Sequence, residues 1–168
     1  MTVKRYIIGV IGSGAEDPEL NGMAEEVGAL IGEGNHILVS GGLGGVMEAS
    51  ARGAKLKGGL TVGILPGKDP GAANPHIDIR LPTGLGEGRN LLIIRASAAL
   101  IALGGGYGTL SEIAFALKLK KPVVGLNTWD VSDDIIPAST PGEALEKVLA
   151  VLNEGNCAGK SFSGSKRR

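Results

Sequence analysis

The chain holds a single cysteine, Cys157, in a polar stretch near the C-terminus. No disulfide can close within it, and no cysteine-based zinc site can be assembled. Its two histidines, His36 and His76, stand far apart, so no metal motif is legible. Aromatic residues make up only 3% of the sequence, which argues against the stacking platforms that hold single-stranded nucleic acid. Charge of one sign is missing too, because 17 Lys and Arg balance 17 Asp and Glu. A nucleic-acid binder that works by bulk electrostatics needs a basic surplus. No apolar run reaches membrane-spanning length. The first residues, Met1 to Arg5, lead into a short apolar run without a signal-peptide pattern. These absences lead us to expect a cytoplasmic protein with no nucleic-acid and no membrane partner.

Glycine is what the chain has in excess. There are 29 in 168 residues, against an average usage of roughly 7%. They follow no collagen period and gather where apolar runs end, as in loops that approach a ligand closely.

The apolar runs and breakers alternate. Strands are expected over residues 6–11, 36–39, 60–65, 77–81, 99–103 and 122–126. Helices are expected from Asp17-Pro18 to Gly34-Asn35, and over residues 46–57, 88–98, 109–120 and 141–152. The strands read as continuous apolar runs, as when helices cover both faces of a sheet. This pattern predicts an α/β fold, doubly wound and Rossmann-like, with a mostly parallel sheet and helices on both faces. One domain over residues 1–153 is expected. The Gly-, Ser- and Lys/Arg-rich residues 154–168 are expected to form a disordered tail.

Three glycine-rich turns follow predicted strands: Gly12-Ser13-Gly14, Gly41 to Gly45, and Gly104 to Gly108. In a parallel sheet they meet at one edge, each at the start of a helix, where backbone N–H groups and the helix dipole favour an anion. A phosphate site is expected there, using Gly12, Ser13, Gly42, Gly44, Gly45, Gly105, Gly106, Tyr107, Gly108 and Thr109. A dinucleotide fingerprint is excluded, because the first turn lacks its third glycine and no acidic residue ends the second strand. No Walker motif occurs either.

The stretch Gly104-Gly105-Gly106-Tyr107-Gly108-Thr109-Leu110-Ser111-Glu112 resembles the P-G-G-x-G-T-x-x-E signature of the Lonely Guy family. Gly41-Gly42-Leu43-Gly44-Gly45-Val46-Met47 and Arg89, fifteen residues before Gly104, extend the likeness over most of positions 6 to 152. Gly104 stands where that family has Pro, and Asn90 where it has Lys. With residues 68–76 and 83–90, these departures make the chain more similar to a sister subgroup of molybdenum-cofactor-carrier-like proteins. The resemblance to that subgroup implies binding of a phosphorylated pterin-like or nucleotide-like ligand, with the molybdenum cofactor as a bound ligand and Asn90 among the ligand contacts. The resemblance to the wider family implies a nucleoside 5′-monophosphate phosphoribohydrolase, which releases free base and ribose 5-phosphate. Arg89 and Glu112 would then be catalytic. A carboxylate beside the sugar would stabilise an oxocarbenium-like transition state, and Arg89 would hold the phosphate or the departing base.

Structural readings stand beside these. Thr109-x-x-Glu112 also fits a capping box at a helix starting at Thr109. His36 and Arg95 read as structural, His76 as a surface residue. The segments 46–57 and 88–98 carry many small or apolar residues, including Leu91, Leu92, Ile93 and Ile94. They predict an interface shared with a second copy, in a dimer or tetramer.

Overall fold

A computed structural model describes residues 4–158. Among the described residues the order is β1 (Ile7–Gly12), α1 (Pro18–Glu33), β2 (Ile37–Ser40), α2 (Val46–Leu56), β3 (Leu60–Leu65), β4 (Ile79–Pro82), α3 (Asn90–Ala96), β5 (Ala99–Gly104), α4 (Tyr107–Lys118), β6 (Val123–Thr128), β7 (Ile135–Ala138) and α5 (Pro141–Ala158). The strands form one sheet in the order β4-β3-β2-β1-β5-β6-β7. Every pairing is parallel, so the expected α/β Rossmann-like architecture is the one present.

The continuous apolar strands feed two cores. In β5, Ala99, Ile101 and Leu103 point to the core shared with α1, α2 and α5. Leu100 and Ala102 point to the core shared with α3 and α4. Side chains alternate across a strand, so a strand buried on both faces must be apolar at every position. Helices α1 and α2 pack backbone against backbone. A Cβ on Gly28 would strike the Ser50 carbonyl, and one on Gly53 would strike that of Glu25.

Helix α1 starts where the sequence predicts. Asp17 Oδ1 accepts from the N–H groups of Glu19 and Leu20 at 3.1 Å each, and Pro18 opens the first turn. His36 is buried, and its Nδ1 accepts from the Tyr6 N–H at 3.3 Å. Burial holds its pKa below the ordinary value, with the Arg5 charge acting in the same direction.

Several expectations are corrected. Helix α4 begins at Tyr107 with Gly106 as its uncapped N-cap. Thr109 therefore lies within the first turn, and the Thr109–Glu112 capping box does not form. Segment 88–98 divides into a 3₁₀ turn over Gly86–Arg89 and the shorter helix α3. Strand β7 was not foreseen; it has four residues, includes Pro137 and lies at the sheet edge, where proline is tolerated. The tail expected from residue 154 is helical to Ala158. Just before it, Tyr6 Oη donates to Asn153 Oδ1 at 2.9 Å and ties α5 to the start of β1. Residues 159–168 of the expected tail lie outside the described residues. The two helices expected at one interface pack on opposite faces of the sheet, α2 with α1 and α3 with α4.

Candidate functional site

Strand order decides where the site lies. From β1 the chain builds outward through β2, β3 and β4, then returns to β5 on the other side of β1. The loops after β1 and β5 therefore leave in opposite directions and open a crevice at the strand ends, the usual ligand position in such sheets. A cavity of about 260 Å³ lies there. Its walls come from Val10 to Gly14 at the end of β1 and in the turn after it, Gly41 and Met47 around the second glycine turn, Glu87, Arg89 and Asn90 at the start of α3, and Gly106, Gly108, Thr109 and Glu112 at the start of α4.

The glycine turns divide the work. Gly12 and Ser13 face the cavity. Of the second turn only Gly41 does so. Gly42 packs on Gly63 and Leu65, Gly44 lies near the Gly14 carbonyl, and Gly45 presses on the Ser13 and Ala15 carbonyls. These three glycines lie behind the wall and hold the first turn in place, with Val46 N donating to Ser13 O at 3.0 Å. Asn74 ties the same loop from the other side. Its N–H donates to Gly42 O at 2.9 Å and its Nδ2 to Leu43 O at 2.8 Å.

The third turn is bent sharply. Gly104 has φ +51° and Gly105 φ +110°, conformations that favour glycine. Proline at position 104 would be locked near φ −65°, so the departure from the P-G-G pattern is required by this backbone. A Cβ on Gly105 would collide with Thr109. Gly105 and Tyr107 do not line the cavity, whereas Gly106, Gly108 and Thr109 do. Gly106 offers the first turn of α4 no side-chain cap. Its N–H groups therefore stay available to an anion.

Arg89 is buried rather than solvated. Its Nη1 donates to the Gly41 and Ile64 carbonyls, and its Nε donates to Asn90 Oδ1 at 3.0 Å. The guanidinium thus clamps the ends of β2 and β3 to α3. Burial lowers its pKa from the ordinary value, and the Glu112 and Glu87 carboxylates act in the opposite direction. Glu112 is 7% exposed. Burial pushes its pKa up to about 7; the Arg89 charge opposes this and Glu87 adds to it. Arg89 and Glu112 feel each other's charge but form no ion pair among the described residues.

Three largely buried residues turn unused polar atoms toward the cavity. The Asn90 amide nitrogen, the Thr109 hydroxyl and the Glu112 carboxyl line the cavity and have no hydrogen-bond partner among the described residues. Among the described residues only Asn21 Oδ1 is an enclosed side-chain polar atom without a partner, so these three groups are open to the cavity and offer it free donors and acceptors. Sequence reading gave no role to Gly14, Met47 or Glu87, nor to Gly41 as a wall residue. Glu87 could have been noticed as the one acidic residue in the glycine-rich stretch before Arg89.

The SLOG cluster4 family model matches residues 5–154. The chain belongs to that family. A relative within reach of this SLOG cluster4 member is an uncharacterized protein of Archaeoglobus fulgidus. It is 53% identical over 148 residues, which cover 88% of this chain and 97% of the relative. The molybdenum cofactor binding protein of Rippkaea orientalis superposes with a TM-score of 0.84 at 37% identity, covering 90% of this chain and 99% of that one. The molybdenum cofactor carrier protein of Chlamydomonas reinhardtii gives 0.82 at 36% identity, with the same coverage of 90% and 99%. These neighbours support a ligand-binding role for the SLOG cluster4 chain. Among its described residues no group of His, Cys, Asp and Glu could hold a metal ion, and no helix is long and apolar enough to cross a membrane.

Proposed function

We propose that this chain binds a phosphorylated, pterin-like or nucleotide-like small molecule in the central cavity, with the molybdenum cofactor as the ligand it carries in the cytoplasm. The observation that supports this most is the trio of unpartnered polar groups on Asn90, Thr109 and Glu112. Together with the uncapped start of α4, they fit a phosphate and the polar groups next to it. Gly106, Gly108 and Thr109 would hold the phosphate, and Asn90 and Glu112 would hydrogen-bond the adjoining atoms. Glu112 is suited to this because a carboxyl that protonates near neutrality can donate to an acceptor and does not repel the anion. When bound, the cofactor would supply its metal for delivery to an acceptor enzyme. The residues of this chain would bind it, orient it and exclude water.

A second reading is hydrolysis of nucleoside 5′-monophosphates. Glu112 favours it, as a buried carboxyl facing the cavity within the field of Arg89. One experiment separates the two. The purified protein is assayed for bound molybdenum and pterin, then incubated with a panel of nucleoside monophosphates while free base and ribose 5-phosphate are followed. Bound or bindable ligand without base release is the outcome expected of a carrier. Base release would establish the hydrolase instead. The reading also includes self-association through the face bearing exposed Ile79, Leu81 and Leu92. Light scattering that shows a monomer at micromolar concentration would overturn that part.

A further inference from the structure

The chain's single tryptophan lies outside the central cavity. Trp129 follows β6, and its ring stacks on Tyr107 with centroids 6.3 Å apart and planes at 24°. Its Nε1 donates to the Gly106 carbonyl at 3.2 Å. The indole is therefore fixed to the same loop residue that lines the cavity on its other side. Tyr107 is 84% exposed. Two of the chain's five aromatic residues thus form a stacked pair at the rim of the site, with the outer one open to water.

The ridge between cavity and pair is low. Gly106 has φ −97°, and Gly108 lies inside α4 without positive φ. A Cβ at either would meet nothing within 4 Å. Packing calls for glycine at neither position; Gly106 is an N-cap, where glycine is common, and Gly108 lies inside α4, where glycine lowers stability. Their lack of side chains leaves the ridge low enough for a ligand to cross. The central cavity, at about 260 Å³, is smaller than the roughly 300 Å³ at which sites for whole small molecules begin. It can enclose one end of a ligand and leave the other end outside. A separate shallow hollow beside Trp129 is lined by Gly104, Gly105, Asn127, Thr128, Trp129 and Asp130.

We infer that the outward face of Tyr107, backed by Trp129, is the stacking surface for a fused planar heterocycle, of purine or pterin type, belonging to a ligand whose phosphate end lies in the central cavity. The inference rests on the proposed function and adds the part of the ligand that the cavity does not enclose. Aromatic rings stack offset on heterocycles with little regard to their edges. Tyr107 and Trp129 therefore read ring size, while the cavity reads the phosphate end.

Trp129 is the only tryptophan, so its fluorescence reports on the pair directly. The full chain is titrated with GMP, 6-hydroxymethylpterin and ribose 5-phosphate by fluorescence and calorimetry, as wild type, Tyr107→Ala and Tyr107→Phe. Tyr107 is exposed, so both variants are expected to fold. GMP or the pterin should alter Trp129 emission, and ribose 5-phosphate should not. The preference for the ring-bearing probe over ribose 5-phosphate should fall about tenfold in Tyr107→Ala, the scale of one lost stacking partner, and return in Tyr107→Phe. Equal preference in wild type and Tyr107→Ala overturns the aromatic subsite and leaves the phosphate reading standing. Wild-type protein that binds none of the three probes overturns the proposed function and this inference with it.

Discussion

Helices α1 and α4 both begin just beyond a strand end, yet their first turns are finished in opposite ways. In α1, the Asp17 carboxylate accepts from two of the orphaned N–H groups and Pro18 removes another. In α4, Gly106 supplies no cap and no acidic residue stands in the first turn. The polar side chains near it, Thr109 and Glu112, line the cavity without hydrogen-bond partners among the described residues. The first helix start is satisfied by its own chain, and the second is left for something else to satisfy. A residue chosen for stability alone would have capped both, so the uncapped start of α4 fits the proposed anion position.

The largest effect should come from Glu112. Its carboxyl holds a proton more tightly in the folded protein, with a pKa of about 7 against an ordinary 4.5. Stability from this group is therefore complete below pH 4.5 and is lost as the pH rises through about 7. Once ionised, it should cost the fold about 3 kcal/mol. Thermal unfolding of wild type and Glu112→Gln from pH 4.5 to 8 checks this. The variant should be the more stable at pH 8, and the gap should close near pH 4.5. A variant less stable at pH 8 would mean that Glu112 supports the helix start after all.

Giving α4 the finish of α1 should come next. Gly106 has an ordinary backbone and open space beside it, so Gly106→Asp should fold and gain a few tenths of a kcal/mol from its cap, roughly. The new carboxylate would occupy the anion position at short range. Phosphate and GMP affinity should drop by about a hundredfold, in line with like charges a few ångströms apart near a protein surface. Calorimetry with retained affinity would remove α4 as the anion site. The smallest effect is the reciprocal one. Asp17→Ala should lower stability by about 1 kcal/mol and leave GMP affinity as it was, because Asp17 does not line the cavity. A large loss of binding in this variant would erase the contrast between the two helix starts.

Much of the molecule could be read in advance from particular residues. The apolar run at 99–103 became β5 because a strand buried on both faces leaves little room for polar residues, and the run at 60–65 became β3 with one buried polar residue, Thr61, whose hydroxyl donates to the His76 carbonyl. Asp17-Pro18 marked the start of α1 for local reasons alone. The short, proline-bearing β7 carries too little pattern to stand out from a loop. Thr109 looked like a cap because the motif T-x-x-E is local, whereas the true start at Tyr107 follows from how Gly104 and Gly105 turn the chain off the sheet. Within the site, the glycine turns, Arg89 and Glu112 were visible as residue types. Which of them line the cavity was not visible. Gly42, Gly44 and Gly45 share a motif with Gly41, yet only Gly41 lines it. Trp129 stood in an unremarked loop until the fold brought it against Tyr107.

The order of apolar runs and breakers, by itself, determined that this chain builds a parallel α/β sheet with glycine turns at one edge. Periodicity and turn chemistry act between neighbours, and they leave the strands few other arrangements. The tertiary structure alone decided what those turns and side chains are for. The crossover between β1 and β5 opened the crevice. Burial then raised the Glu112 pKa and held Arg89 on the carbonyls of Gly41 and Ile64. Desolvation and hydrogen-bond partnership depend on residues distant in the chain, such as Gly41, Ile64 and Arg89, so they exist only once the sheet has brought those residues together.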